Sequence, residues 1–452
     1  MSLVLTLLAV IIFIVIATTK FKLHPFLTLL LASLIAAFAF GLPAKDITKT
    51  ISTGFGNILG YIGLVIVLGT IIGTILEKSG AAITMADTVI KLIGKRFPTL
   101  TMSIIGYIVS IPVFCDSGFV ILNSLKQSMA NRMKVSSVAM SVALATGLYA
   151  THTFVPPTPG PIAAAGNLGL ESNLGLVIAV GLLVSAVAAI AGMLWANRFM
   201  DVEPDGEGAE ELLQQAEEFD KLKASYGKLP SAMASFAPIF APIVLICLGS
   251  IAALPAKPFG TETIFTVLNF LGQPLNALLI GLALSLPLLK STNRVQEFTQ
   301  RISDGLIAAA PILLITGAGG AFGAIIKATD IGSYLGTTLS DLGIGIFMPF
   351  IVAAALKSAQ GSSTVALVTT SAMVAPMLGD IGLGSEMGHV LTVMAIGAGA
   401  MTVSHANDSF FWVVTQFSRM SVSQAYRAQT AATAVQGVVA VLLVWLLSLI
   451  LL

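Results

Sequence analysis

The sequence predicts an all-α polytopic membrane protein, with about ten transmembrane helices and two re-entrant hairpins that enter from opposite faces. Three observations carry this reading. The 452-residue chain is 56% hydrophobic and only 10% charged, with a mean hydropathy of +0.95, whereas soluble domains carry roughly 25% charged residues. Apolar runs of spanning length, roughly 17 to 25 residues, recur along the chain. Two further apolar runs are broken in the middle, at residues 111–118 (IPVFCDSG) and 357–364 (KSAQGSST).

Unbroken runs fall near 3–19, 25–42, 57–77, 135–153, 174–197, 232–254, 264–289, 304–326, 388–404 and 429–451. No positive residue precedes the first run and no small-residue cleavage site follows it before Lys20, so it reads as a span rather than a signal peptide. The broken runs cover about 97–125 and 342–379. In hydrocarbon each unpaired backbone amide or carbonyl costs several kcal/mol, so such breaks survive only inside protein or beside a watery cavity. Paired breaks at matching places in two halves of a chain point to the binding site of a transporter.

Lys and Arg in short loops favour the cytoplasm. With ten spans counted, Lys20 and Lys22, Arg198 with Lys221 and Lys223, Lys290 with Arg294 and Arg301, and Arg419 with Arg427 all fall on one side. Both termini then face the periplasm or exterior. The first broken run has basic flanks on both ends, Lys91, Lys95 and Arg96 before it and Arg132 and Lys134 after, as a hairpin entering from the cytoplasm requires. The second is flanked by Asp341, Asp380 and Glu386 and is expected to enter from the other face.

The halves also match in detail. Gly69 and Gly73 align with Gly319 and Gly323 at a shift of 250, Asp116-Ser117 with Ser362-Ser363 at 246, and His152 with His405 at 253. Five spans and one hairpin per half force the second copy to be inverted. The expected organisation is a first repeat over 1–200, an acidic cytoplasmic linker over 201–230, and a second repeat over 231–452.

Candidate site residues cluster at the breaks. Asp116 sits mid-hairpin, where an isolated charge is a functional-site hypothesis by default; the competing reading is a cap for the helix that starts there. Helix N-termini carry partial positive charge, so two opposed tips can cradle an anion, with Ser117 and Gly118 on one tip and Ser362, Ser363 and Thr364 on the other. Lys357 has Ile111 as its counterpart in the first half. It either faces a carboxylate substrate or pairs with an acid such as Asp116. Gln360 offers a donor and an acceptor for hydroxyl recognition. His152 and His405 end matching spans, each followed by an irregular polar tract that holds a further substrate-site candidate, Thr158 in the first and Asn407 in the second. The first tract packs four prolines into residues 156–161, and these cannot continue a helix. The two histidines and Asp408 are candidates for proton handling.

Several functions are excluded. A net charge of +1 and the lack of a basic tail or recognition motif give no case for nucleic acid. Cys115 and Cys247 read as buried thiols without a disulfide. No His/Cys/Glu spacing suggests a metal, no nucleophile–base set suggests an enzyme, and the 317–320 glycine run lacks the strand a nucleotide fingerprint needs.

The tracts PVFCDSGFVIL at 112–122, THTFVPPTPGP at 151–161 and SHANDSFFW at 404–412 resemble the gluconate permease family, the gluconate:proton symporters, within the larger ion-transporter superfamily. The likeness runs over essentially the whole chain. It implies a multi-pass bacterial inner-membrane symporter for a small anionic sugar acid or related hydroxy-carboxylate, with relatives that carry D-serine, idonate, fructuronate or glycerate-like acids. It also implies elevator-type motion of the hairpins past a scaffold of spans 1, 2, 5, 6, 7 and 10, and a homodimer. No cofactor is implied; the coupling ion is the proton. The alternative is a sodium-coupled carrier, with hairpin-tip carbonyls, Ser362, Ser363, Thr364 and Asn407 holding the ion.

Overall fold

The computed structural model describes residues 23–93, 97–206, 226–253, 258–260, 262–290, 292–329, 345–406 and 408–452, with isolated positions among the first 21 residues and at 224. Most of the expected first span, much of the 201–230 linker, the start of the second hairpin and Asn407 lie outside the described residues. The described residues form helices and no strand.

In order the helices are α1 Pro25–Ala39, α2 Ala44–Ser79, α3 Ala81–Ile93, α4 Pro98–Val109, α5 Cys115–Met133, α6 Ser137–Phe154, α7 Pro159–Asn167 and α8 Leu174–Ala196 in the first half. The second half holds α9 Ala232–Ala252, α10 Thr263–Leu271, α11 Pro274–Ser285, α12 Arg294–Lys327, α13 Phe347–Gln360, α14 Ser363–Val374, α15 Glu386–Met401, α16 Ser409–Phe417 and α17 Val422–Leu451. Among the described residues five stretches are long and apolar enough to cross a membrane, or seven if bent pairs count as one span each. The expectation of ten spans counted shorter pieces. α1 has 15 residues and α15 has 16, too short to meet that length unaided.

Three local departures from the expected spans have plain causes. The run 264–289 is two helices, α10 and α11, whose axes differ by 69°, because Pro274 lacks the amide that would extend α10 and disfavours helical geometry at Gln273. The run 57–77 is the end of the much longer α2, which starts at Ala44. Residues 81–93 form a separate helix, α3, which is buried over its first half and carries Lys91 in its last turn; its mixed composition hid it between two apolar runs.

Both broken runs are helix–break–helix units, as expected from their Pro, Gly and Ser. α4 ends at Ser110, whose hydroxyl donates to the Val113 carbonyl at 2.9 Å, and α5 starts at Cys115. α13 ends at Gly361 with φ of 86°, a left-handed closing residue that glycine adopts without strain, and Ser362 caps α14 by accepting from Val365 N at 3.3 Å.

Helix α6 is buried along its whole length and α15 over nearly all of its own. A helix apolar and buried on every side is a central element, and these two form the middle of the molecule. α4 and α5 pack on α6, and α13 and α14 pack on α15. Each tip helix also reaches the other half: α5 packs on α16 and α14 on α7. α2 and α12 lie along each other and flank this arrangement.

The glycines aligned between the halves have a shared purpose. A Cβ on Gly69 would meet the Pro157 carbonyl, and one on Gly73 the Pro112 carbonyl; on Gly319 and Gly323 it would meet Val368 and Ala372 of α14. Small residues let irregular backbone and short helices sit directly against α2 and α12. Within the core, Gly147 of α6 lies against the Ser103 carbonyl of α4.

Gly147→Ala is therefore expected to destabilise the protein in detergent by about 1–3 kcal/mol, the usual cost of overpacking. Gly56→Ala on α2, where a Cβ meets open space, is expected to stay within about 0.5 kcal/mol of the parent. Thermal midpoints of both variants check the contrast; equal effects would remove the close approach as the reason for Gly147.

Candidate functional site

A cavity of about 270 Å³ lies where the two breaks meet. Its wall comes from Phe114, Cys115 and Asp116 of the first tip, Gln360 to Thr364 of the second, Tyr149 and His152 of α6, and Asp408 to Phe410. Small-molecule sites usually measure about 300–1,000 Å³, so this one suits a small solute.

Three helices start at the cavity: α5 at Cys115, α14 at Ser363 and α16 at Ser409. The first amides of a helix have no partner within it, and their summed dipoles favour negative charge. Asp408 already occupies the start of α16, where its Oδ1 accepts from Phe410 N at 3.1 Å. The N-cap of α5 is Phe114, which offers no side-chain acceptor. Asp116 thus stands in the first turn of α5 rather than at its N-cap position.

The carboxylate of Asp116 accepts from Ser409 Oγ at 3.3 Å and lies 3.8 Å from Cys115 Sγ. No ion pair to it occurs among the described residues. Lys357 behaves differently: its Nζ lies 2.7 Å from Asp408 Oδ2, with both side chains buried. Of the two roles open to Lys357, it pairs with an acid, and that acid is Asp408 rather than Asp116. The Lys357 ammonium also donates to the Gly361 carbonyl, and the Ser404 hydroxyl donates to Asp408 Oδ2.

Gln360 lines the cavity with both amide atoms buried and without a partner among the described residues. His152 lines it as well, its Nδ1 buried and unpartnered there, its ring stacked on Tyr149 at 6.4 Å and tilted against Phe114 at 5.9 Å. Ser363 bonds Tyr149 Oη at 2.8 Å, which ties the second tip to α6.

Asp116, His152, Gln360, Ser362, Ser363, Thr364 and Asp408 are thus brought together as expected. Others are not on the wall. Ser117 and Gly118 do not line it, Gly118 lying against Leu148. Thr158 is buried at the start of α7 and donates to the Val155 carbonyl at 2.6 Å. His405 Nε2 lies 2.9 Å from the Ser358 carbonyl, and Lys357 sits behind Asp408. Sequence reasoning missed Tyr149, Ser409 and Phe410. Tyr149 carried a usable signal, since it precedes His152 by three residues and so shares its helix face.

The resemblance stated above is borne out. A family profile described as GntP family permease matches residues 1–450. The chain is 34% identical to a gluconate permease of Pseudomonas aeruginosa, over 99% of this chain and 98% of that one. It is also 34% identical to the D-serine transporter DsdX of Escherichia coli K12, over 98% and 97%, and 30% identical to the inner membrane permease YgbN of the same organism, over 97% and 96%. Among solved structures it is similar to the YdaH transporter of Alcanivorax borkumensis, with a TM-score of 0.65 at 14% identity, covering 94% of this chain and 98% of that chain. That likeness speaks for the fold alone.

Proposed function

Since the chain belongs to the GntP family of permeases and is a multi-pass membrane protein, we propose that it imports gluconate or a related small hydroxy-carboxylate by proton symport, with Asp116 as the coupling carboxylate. One observation carries this reading. The cavity gathers three helix starts, of which that of α5 has no side-chain cap, beside a carboxylate that makes no ion pair among the described residues.

An anionic substrate beside ionised Asp116 is repelled. Like charges about 4 Å apart at an effective dielectric of about 20 oppose each other by about 4 kcal/mol, close to a thousandfold in affinity. Protonation of Asp116 removes that repulsion, so substrate and proton favour each other's binding. His152, beside Tyr149, is the relay candidate for the proton. The starts of α5 and α14 hold the carboxylate, while Gln360, Ser362, Ser363 and Thr364 read hydroxyls.

We further propose that residues 1–200 and 231–452 are inverted repeats that move their hairpins past a scaffold in an elevator-type cycle, in a homodimer with periplasmic termini. The matched packing of α4 and α5 on α6, and of α13 and α14 on α15, supports the repeat. The basic flanks of the first hairpin support the orientation.

Asp116→Asn is expected to fold and reach the membrane, to bind substrate, and to lose accumulation driven by a pH gradient in proteoliposomes. Undiminished pH-driven accumulation would remove Asp116 from the coupling role, and uptake that needs sodium while ignoring pH would replace the proton altogether. For Gln360→Ala the half-saturation concentration is expected to rise by about tenfold, as for one or two lost hydrogen bonds at about 0.5–1.5 kcal/mol each. The rise should be larger for polyhydroxy acids than for a short acid without hydroxyls; equal rises would end its role in reading hydroxyls.

A further inference from the structure

We infer that Lys357 and Asp408 form a charge-compensated positioning lock for the second tip, and that neither one holds the substrate carboxylate or carries the proton. This rests on the transport reading above. The pair is saturated from within. Lys357, 0% exposed, spends its ammonium on Asp408 at 2.7 Å and on the Gly361 carbonyl, with the Tyr149 ring 5.7 Å from Nζ. Asp408 uses one oxygen on Lys357 and Ser404, and the other on Phe410 N.

The partners explain what the pair is for. Gly361 is the left-handed residue between α13 and α14, so a cation on its carbonyl fixes how the chain turns into Ser362 to Thr364. Asp408 lies on the loop between α15 and α16, which is pinned elsewhere too: His405 meets the Ser358 carbonyl at 2.9 Å, Ser404 N donates to Thr433 Oγ1 at 3.0 Å, and Trp412 Nε1 donates to the Ala406 carbonyl at 2.7 Å. The ion pair joins that pinned loop to the tip. The first tip has Ile111 in the matching place and, among the described residues, no ion pair. One tip is therefore built rigid and charge-neutral, and the other keeps a carboxylate open to titration.

Such a pair behaves distinctively under mutation, because removing one partner strands a buried charge whereas removing both does not. The test compares Lys357→Met, Asp408→Asn and the double variant with the parent. Asparagine keeps an acceptor for Phe410 N. In proteoliposomes with labelled gluconate, each single change is expected to cut the maximal rate by about tenfold or more, and the double to recover to within about threefold of the parent. Its half-saturation should stay within about twofold and its pH dependence should match the parent's.

A half-saturation raised about tenfold or more in the double variant would overturn the inference by placing Lys357 on the substrate. Loss of pH-driven accumulation in it would overturn it by placing the proton on Asp408. A double variant no better than the worse single would show that no lock exists. Thermal midpoints of the same four proteins in detergent read the coupling without any substrate. Recovery there, with a parent that takes up no gluconate, would sustain the lock and sink the gluconate reading instead.

Discussion

Backbone polar groups inside a bilayer must be satisfied by protein, and the architecture follows from how this chain meets that demand at its interruptions. Four helices, α4, α5, α13 and α14, end or begin in the apolar interior, each leaving amides or carbonyls that lipid cannot serve. Placing α6 and α15, both buried almost throughout, against them gives a protein wall on one side. α2 and α12 close the other, and their glycines allow Pro112, Pro157 and α14 to sit flush. The cavity is what remains at the meeting of the tips.

That constraint also shapes the electrostatics. Helix starts collected at one point make a region that favours anions with no cation on its wall among the described residues, so binding need not depend on a lysine. The buried lysine nearby is spent on Asp408 and on backbone. A paired charge at this depth adds little net stability, but its requirement for both partners at 2.7 Å defines one shape for the tip. Asp116, by contrast, makes no ion pair among the described residues and has Ser409 and the adjacent thiol beside it.

The all-helical membrane class and the two breaks were legible because they are written in composition and in Pro, Gly and Ser placement, which act locally. The nearness of Asp116 to Ser362 and Ser363 was legible through the shift between the halves, and Gln360, Thr364 and Asp408 through their places beside a break or in an irregular polar tract. Side-chain direction was not. Ser117 and Gly118 follow Asp116 in sequence yet do not line the cavity, since successive helix positions diverge by about 100°. Nor could spacing show that Lys357 meets Asp408, 51 positions away, rather than Asp116, because that choice is made where the α15–α16 loop folds back onto α13. The bend at Pro274 and the helix α3 were obscured for a simpler reason, as apolar runs mark burial in lipid and say little of where a helix stops.

The division of charge between the tips bears on what can drive transport. In the proposed cycle the empty site carries ionised Asp116, one negative charge. Loaded with a monoanion and protonated Asp116 it again carries one negative charge, and Lys357 with Asp408 adds zero in both states. A membrane potential acts on a moved charge by about 2.3 kcal/mol per 100 mV, but here it acts alike on the loaded and the returning site. The pH gradient is then the force that distinguishes import from export. A zwitterion keeps that charge balance but loses the proton: its ammonium pairs with ionised Asp116, and no proton is needed to admit it. In the proposed cycle, proton symport is thus a consequence of a substrate that brings a negative charge and no positive one.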